Sequence, residues 1–210
     1  MKGTGMITRI LFAVGWIGIG IGLGKAQAQG GAGSTGANTE EVRVTMRGNP
    51  VVLMGMPVKE GKTAPDFKVV DAGFKAVQLS DFKGQVVLIS AVPSLDTGVC
   101  AAQTKRFNQE AVDLPTNVVI MTISEDLPFA QKRFCEAEKV DRIKVLSDSV
   151  WRQFGTAYGL LIKDMGLLTR SVWIVGRDGR VAYRQIVPEI TSHPDYDAAL
   201  KAAREAAVVK

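Results

Sequence analysis

The chemistry open to this sequence centres on sulfur. Its 210 residues include two cysteines, Cys100 and Cys135, and one histidine, His193. Cys100 ends the segment Pro93-Ser94-Leu95-Asp96-Thr97-Gly98-Val99-Cys100, which follows an apolar run and opens a stretch that reads as a helix. A cysteine in a helix's first turn sits beside backbone N–H groups with no intrahelical acceptor, and the aligned peptide dipoles add to their pull on an anion. The thiolate is thereby favoured, and the thiolate is the nucleophile. Ligand sites in open α/β sheets lie beyond the carboxyl ends of strands, which is where this loop falls. Asp96 or Thr97 is competent as an N-cap that pins the helix start. Thr97, three residues before Cys100, has its hydroxyl within reach of the sulfur or of an oxygen bound there. Pro93 has a fixed φ and no N–H donor, and can shield one side of the sulfur.

Two cysteines do not make a disulfide-stapled scaffold, and a chain of this length does not need one. Cys135 is open to three readings: an inert thiol, half of a permanent bridge to Cys100, or a chemical partner. A single histidine argues against a multi-histidine metal site. His193 lies in the turn-like Thr191-Ser192-His193-Pro194 and reads as a surface loop residue rather than the base of a Cys–His pair. No cofactor or metal is expected. The net charge of +5 includes Lys2, Arg9 and Lys25; setting these aside leaves 23 basic against 21 acidic residues. That balance, with no clustered basic patch, gives no footprint for nucleic acid.

The elements that must hold the loop follow from periodicity. Gln85 to Val92 is β-branched and apolar, as a central strand buried on both faces is. Cys100 to Val112 reads as a helix, Val118 to Ile123 as a strand, and Lys144 to Leu146 as a short strand. Asp126 is the expected cap of a helix through Glu138, with Pro128 in its first turn, and Ser149 the expected cap of a helix to Tyr158. Trp151, Phe154 and Tyr158, at helical spacing there, read as core or dimer-interface residues. Ser171 to Val175 and Val181 to Val187 form a hairpin around Arg177-Asp178-Gly179, and Asp195 to Val208 is a final Ala-rich helix. Ahead of these, Glu41 to Met46 and Val51 to Met54 make a hairpin around Arg47-Gly48-Asn49-Pro50. The alternation predicts an α/β layer structure of thioredoxin-like fold, with an N-terminal β-hairpin.

The first residues read as an address. Lys2 and Arg9 precede a 14-residue uncharged apolar run, Ile10 to Leu23, and Ala26-Gln27-Ala28 has the small-x-small pattern of a cleavage site. The run is shorter than the ~20 residues that a membrane span needs. The expectation is a signal peptide over residues 1–28, a flexible linker over 29–40 and one domain over 41–210. The protein is then exported, periplasmic in a Gram-negative host, with no stable membrane span after cleavage. An uncleaved, membrane-anchoring signal is the alternative.

At Cys100 the pattern becomes specific. Pro93-x-x-x-Thr97-x-x-Cys100 resembles the peroxiredoxin active-site motif, and Asp96-Thr97-Gly98-Val99-Cys100 resembles that family's thiol peroxidase branch. Asp126-Leu127-Pro128-Phe129-Ala130-Gln131 and Arg133-Phe134-Cys135 are similar to the segment bearing the branch's resolving cysteine, and Pro194 to Leu200 resembles the branch near its C-terminus. The resemblance spans roughly Val42 to Ala202. It implies a peroxiredoxin-type fold, a peroxidatic Cys100, a resolving Cys135 and an intramolecular disulfide between them. It also implies an arginine beside the sulfur, and Arg170, just before the strand at Ser171, matches its place. The expected partners are a hydroperoxide substrate, a thioredoxin-like dithiol reductant and a second copy in a homodimer. One departure is that Tyr158 to Arg170 is shorter than the branch pattern, which bears on the alignment at Arg170.

Two other functions compete. A thioredoxin-like thiol–disulfide oxidoreductase would carry Cys-x-x-Cys, and position 103 is Gln. A non-enzymatic redox-sensing protein would keep its fold and lack peroxide turnover.

Overall fold

The computed structural model describes residues 42–209. The predicted signal at residues 1–28 and the linker at 29–40 lie outside the described residues. The described part opens on the expected hairpin, β1 (Val44–Met46) against β2 (Asn49–Val51). Its turn is tighter than the four residues expected: Arg47 and Gly48 both have positive φ, 53° and 78°, the handedness that matches strand twist in a two-residue turn. Asn49 and Pro50 therefore belong to the return strand, where proline is tolerated because a two-stranded pair is all edge. The rest of the expected return strand separates as β3 (Leu53–Met54), which pairs instead with β9 (Leu161–Ile162). A second hairpin, β4 (Lys68–Val70) and β5 (Ala76–Gln78), was not expected. The Asp71 carboxylate closes its turn by accepting from the backbone N–H groups of Gly73 and Lys75.

The central sheet has seven strands. With β6 (Val86–Ala91), β7 (Val118–Ser124), β8 (Lys144–Ser147), β10 (Ser171–Val175) and β11 (Val181–Ile186), its order is β11-β10-β6-β7-β8-β4-β5. Strands β6, β7 and β8 run parallel, and the flanking strands are antiparallel to their neighbours. Every residue of β6 is buried, as its unbroken apolar run requires. Alternation sends Val87, Ile89 and Ala91 into a core with Phe67, Phe154, Tyr158 and Trp173. Val86 and Leu88 pack the other way, against Phe107, Leu200 and Ala203. The architecture is the expected thioredoxin-like α/β fold.

Among the described residues four α-helices complete it: α1 (Gly98–Glu110), α2 (Pro128–Glu138), α3 (Gln153–Ala157) and α4 (Tyr196–Val208). Asp195 caps α4, its Oδ1 accepting from Ala198 N at 2.9 Å. The caps expected at Asp126 and Ser149 are not there. The N-cap of α2 is Leu127, and the Asp126 carboxylate is engaged elsewhere. Helix α3 is a short remnant of the one expected from Ser149, because Arg152 adopts a left-handed φ of 51° and interrupts it. Asp148 takes over the capping, accepting from Phe154 N and Gly155 N at 3.1 and 2.7 Å. Of the three aromatic residues there, Phe154 and Tyr158 enter the core, while Trp151 is partly exposed beneath the Lys68 ammonium.

Candidate active site

Strand β6 delivers the chain at Val92 into the loop Pro93–Thr97, and α1 begins at Gly98, which makes Cys100 the third residue of the helix. Cys100 is fully buried, in an apolar cluster with Val92 and Leu95 that Phe134 and Val145 complete. Pro93 is buried at the start of the loop. Thr97 is the N-cap in backbone conformation, yet its side chain caps no N–H. Its Oγ1 instead stands 2.8 Å from Cys100 Sγ and 2.9 Å from the Ser94 carbonyl oxygen. A hydroxyl has one proton to donate. When Cys100 is a thiol, that proton can go to Ser94 O while Oγ1 accepts from the S–H. When it is a thiolate, the proton turns to the sulfur.

Arg170 comes from the other side. It lies just ahead of β10, only 2 % exposed, with each part of its guanidinium engaged. Nε donates to Ile190 O at 2.7 Å, Nη1 to Gln103 Oε1 at 2.6 Å and Nη2 to Cys100 Sγ at 3.3 Å. Burying a charge costs heavily unless it is paired. Two of these acceptors are neutral oxygens, and the third is the Cys100 sulfur. The Ile190 carbonyl is itself placed by the N-terminal hairpin, through Ile190 N to Thr45 O at 2.9 Å. Glu189 reinforces the same junction, accepting from Thr45 Oγ1, Arg47 N and Gly48 N. Hydrogen bonds from Thr191, Gly48 and Thr45 hold its carboxyl well below the usual carboxylate range.

Gln103 was read in the sequence only as the absence of a second cysteine. It is fully buried one turn beyond Cys100, and its Nε2 donates to Ser90 Oγ at 2.8 Å while its Oε1 orients Arg170. The signal for it was its i, i+3 spacing from Cys100 on one helix face. Asp126, the expected helix cap, reaches the loop instead. Its Oδ1 accepts from Ser94 Oγ and its Oδ2 from Leu95 N, each at 2.7 Å.

Cys135 sits half-buried on α2, and both cysteines are free thiols in this structure. Burial pushes the Cys135 thiol up, and the neighbouring Glu136 carboxylate adds to the shift. The α2 side chain that enters the cluster around Cys100 is the adjacent Phe134. His193 is exposed, as expected, with Nδ1 2.7 Å from the Tyr196 hydroxyl. The structure thus brings Thr97, Cys100 and Arg170 into contact, with Pro93 at the base of the loop and Cys135 on the neighbouring helix. Among the described residues no group of three or more His, Cys, Asp or Glu stands together in a metal-binding arrangement.

Comparison with known proteins places this site in a lineage. The redoxin family profile matches residues 59–200. A thiol peroxidase of Oceanobacillus iheyensis is 49% identical over 157 residues, covering 75% of this chain and 95% of the relative. The chain belongs to the redoxin family, in its thiol peroxidase branch. A thiol peroxidase of Bacillus subtilis is 47% identical over 161 residues, covering 77% of this chain and 96% of that protein. The solved structure of a peroxiredoxin-like protein from Aquifex aeolicus superposes with a TM-score of 0.74 at 40% identity, over 79% of this chain and 97% of that one. A thiol peroxidase from Chromobacterium violaceum shares the fold at 22% identity, with a TM-score of 0.70 over 79% of this chain and 97% of that one.

Proposed function

We propose that the chain is a thiol-dependent peroxidase in which Cys100 reduces hydrogen peroxide and organic hydroperoxides and Cys135 resolves the product. The observation that carries this reading is the convergence of Thr97 Oγ1 and Arg170 Nη2 on one buried sulfur. The Cys100 thiolate attacks the terminal oxygen of the hydroperoxide. An S–O bond forms as the O–O bond breaks, leaving a sulfenic acid on Cys100 and, after protonation of the departing oxygen, an alcohol or water. Arg170 is aimed where charge develops on the breaking bond, and the burial of both groups strengthens that effect. Thr97 orients the sulfur and the incoming oxygen, and Pro93 walls the loop against water.

Cys135 then attacks the Cys100 sulfenic sulfur, expelling water and forming an intramolecular disulfide. With Phe134 packed into the cluster around Cys100, that bond requires α2 or the first turn of α1 to shift. A dithiol reductant of thioredoxin type restores both thiols by exchange. The basic, apolar and small-residue pattern of residues 1–28 supports export, so the reductant must be one that acts outside the cytosol. A homodimer is the expected assembly, which sedimentation tests.

The deciding experiment is peroxide consumption combined with intact mass. Cys100→Ser abolishes turnover. Cys135→Ser still forms the sulfenic acid but stalls on a thioredoxin-type donor. Normal cycling by Cys135→Ser would remove the resolving role, and insulin reduction without peroxide turnover would favour a thiol–disulfide oxidoreductase. Intact mass of the protein from its native host reports whether residues 1–28 are removed.

A further inference from the structure

The Asp126 carboxylate leaves the helix start beside it without a side-chain cap. Aspartate is among the strongest N-cap residues, and α2 opens two residues later, yet Leu127 is the N-cap and no side chain serves it. The carboxylate turns to the neighbouring loop. Oδ1 accepts from Ser94 Oγ, and Oδ2 accepts from Leu95 N and from Ser124 Oγ, the last at 2.8 Å. Asp126 is itself held by the sheet: its carbonyl accepts from Ser147 Oγ at 2.6 Å, and Ser124 Oγ is steadied by Gln131 Nε2 at 3.0 Å. One ionised group on the β7–α2 junction therefore ties down two consecutive residues of the loop that leads to Cys100.

We propose that Asp126 is a positioning residue that latches this loop, holding Cys100 in its attacking geometry and delaying its release toward Cys135; the proposal rests on the peroxidase reading above. The path to the sulfur is short. The Ser94 carbonyl competes with Cys100 Sγ for the proton of Thr97 Oγ1. Fixing Ser94 through its own hydroxyl and the next N–H fixes where that carbonyl stands, and with it the orientation of Thr97. Leu95, tied by its N–H, also packs on Cys100 in the apolar cluster. Bonds to an ionised acceptor are stronger than neutral ones, so the latch favours the state in which the loop is folded onto the sheet. That state serves attack on peroxide. Disulfide formation needs the opposite, a loop or helix free to move. The latch thus accelerates the first step and slows the second.

Single-turnover oxidation of the reduced full-length protein by hydrogen peroxide, quenched and read by intact mass, separates the two rates. In Asp126→Ala, sulfenic acid formation is expected to slow by about tenfold, the scale of a modest misplacement of a reacting group, while conversion to the disulfide becomes several times faster. Asp126→Asn, which keeps one acceptor oxygen, falls between Asp126→Ala and the wild type. Unchanged rates, or both rates falling in proportion, overturn the latch. If Asp126→Ala fails to fold, Ser94→Ala removes one of the loop's two bonds to the carboxylate, together with the long bond from Asp96 N to Ser94 Oγ at 3.3 Å. The same opposite movement of the two rates, at smaller amplitude, then supports the proposal, and no movement or a parallel fall overturns it. If the wild type consumes no peroxide, or Cys100→Ser does, the peroxidase reading itself fails, an outcome the variants at Asp126 do not produce.

Discussion

Arg170 Nη2 reaches Cys100 Sγ at 3.3 Å across 70 positions of chain. Only the fold makes that contact, since β10 runs antiparallel beside β6 and brings Ser171 opposite Ala91. Arg170 thus stands next to the strand end from which the Cys100 loop departs.

Replacing Arg170 by lysine tests whether charge alone suffices. A lysine ammonium is a point charge and does not reproduce a planar fork that meets Ile190 O, Gln103 Oε1 and the sulfur together. Both Arg170→Lys and Arg170→Met are expected to lower kcat/KM for hydrogen peroxide by about 10²-fold or more, the usual loss for a donor aimed at transition-state charge. Lysine recovers little of it. Steady-state peroxide consumption with a non-limiting reductant measures this, and a lysine variant within severalfold of wild type would show that the fork is dispensable.

Gln103 holds that fork in place from below. Gln103→Leu keeps the volume but strands Ser90 Oγ and Arg170 Nη1 in the interior. The expected cost is about 1–3 kcal/mol of stability, the range for an unsatisfied buried polar group. Because Arg170 loses its guide, activity falls by about tenfold, the effect of a modest displacement. Gln103→Glu supplies a charged acceptor for Arg170 and is expected to retain more activity than Gln103→Leu. Denaturant melts and peroxide assays on both variants separate the stability effect from the positioning effect.

Much of this site was legible because its chemistry is local. The loop from Pro93 to Cys100 lies in one stretch of chain between a fully apolar strand and a helix, so residue types and spacing placed Thr97 beside the sulfur. Arg170 needed the family resemblance, since nothing in the chain around it marks it as near Cys100, 70 positions away. Gln103 and Asp126 stayed hidden for different reasons. A buried glutamine and a solvated one look alike in sequence. An aspartate two residues before a helical stretch reads as its cap unless a competing pair of donors is known to stand across the loop. The missed hairpin at β4 and β5 has strands of three residues each, too short for a period of two to register. Helix α3 was overread because a left-handed Arg152 leaves no trace in composition.

Cys135 carries a pH signature. Burial raises its thiol above the ordinary value and Glu136 raises it further, so at neutral pH little of it is thiolate. The resolving step, measured as conversion of Cys100 sulfenic acid to disulfide after one equivalent of peroxide, is expected to accelerate steadily as pH rises through neutrality. Glu136→Gln removes the repulsive charge and brings the thiol down. Since Glu136 is exposed and screened, the gain at neutral pH is about twofold. The first oxidation should be unaltered by this substitution. A resolving rate independent of pH would show that thiolate formation at Cys135 does not limit the step.

Two buried carboxyl groups, Glu125 and Asp148, lie at the carboxyl ends of β7 and β8 and tie stability to pH. The Glu125 side chain is 4% exposed, with both oxygens lacking a hydrogen-bond partner and Arg152 Nε 3.6 Å from Oε2. Burial, with the charge of Asp148 beside it, pushes the Glu125 carboxyl from its ordinary 4.5 up to about 7. Asp148 is raised from 3.8 to about 6 by burial, partly offset by the N–H groups of Gly155 and Phe154 that it caps. These shifts run opposite to those of a paired surface carboxylate, so the sign of the linkage reverses. Between about pH 4 and pH 7 the native state holds protons that the unfolded chain has released, and stability falls as pH rises through that window. Below it the protonated pair is accommodated in full; above it the cost of burying charge is complete. Glu125→Gln mimics the protonated form. It is expected to match the wild type near pH 4 and to exceed it by about 1–3 kcal/mol at pH 8, one pKa unit being worth about 1.4 kcal/mol. Urea melts of the reduced protein at the two pH values measure the difference. A variant equally or less stable than the wild type at pH 8 would mean that Arg152 and solvent already compensate the Glu125 charge.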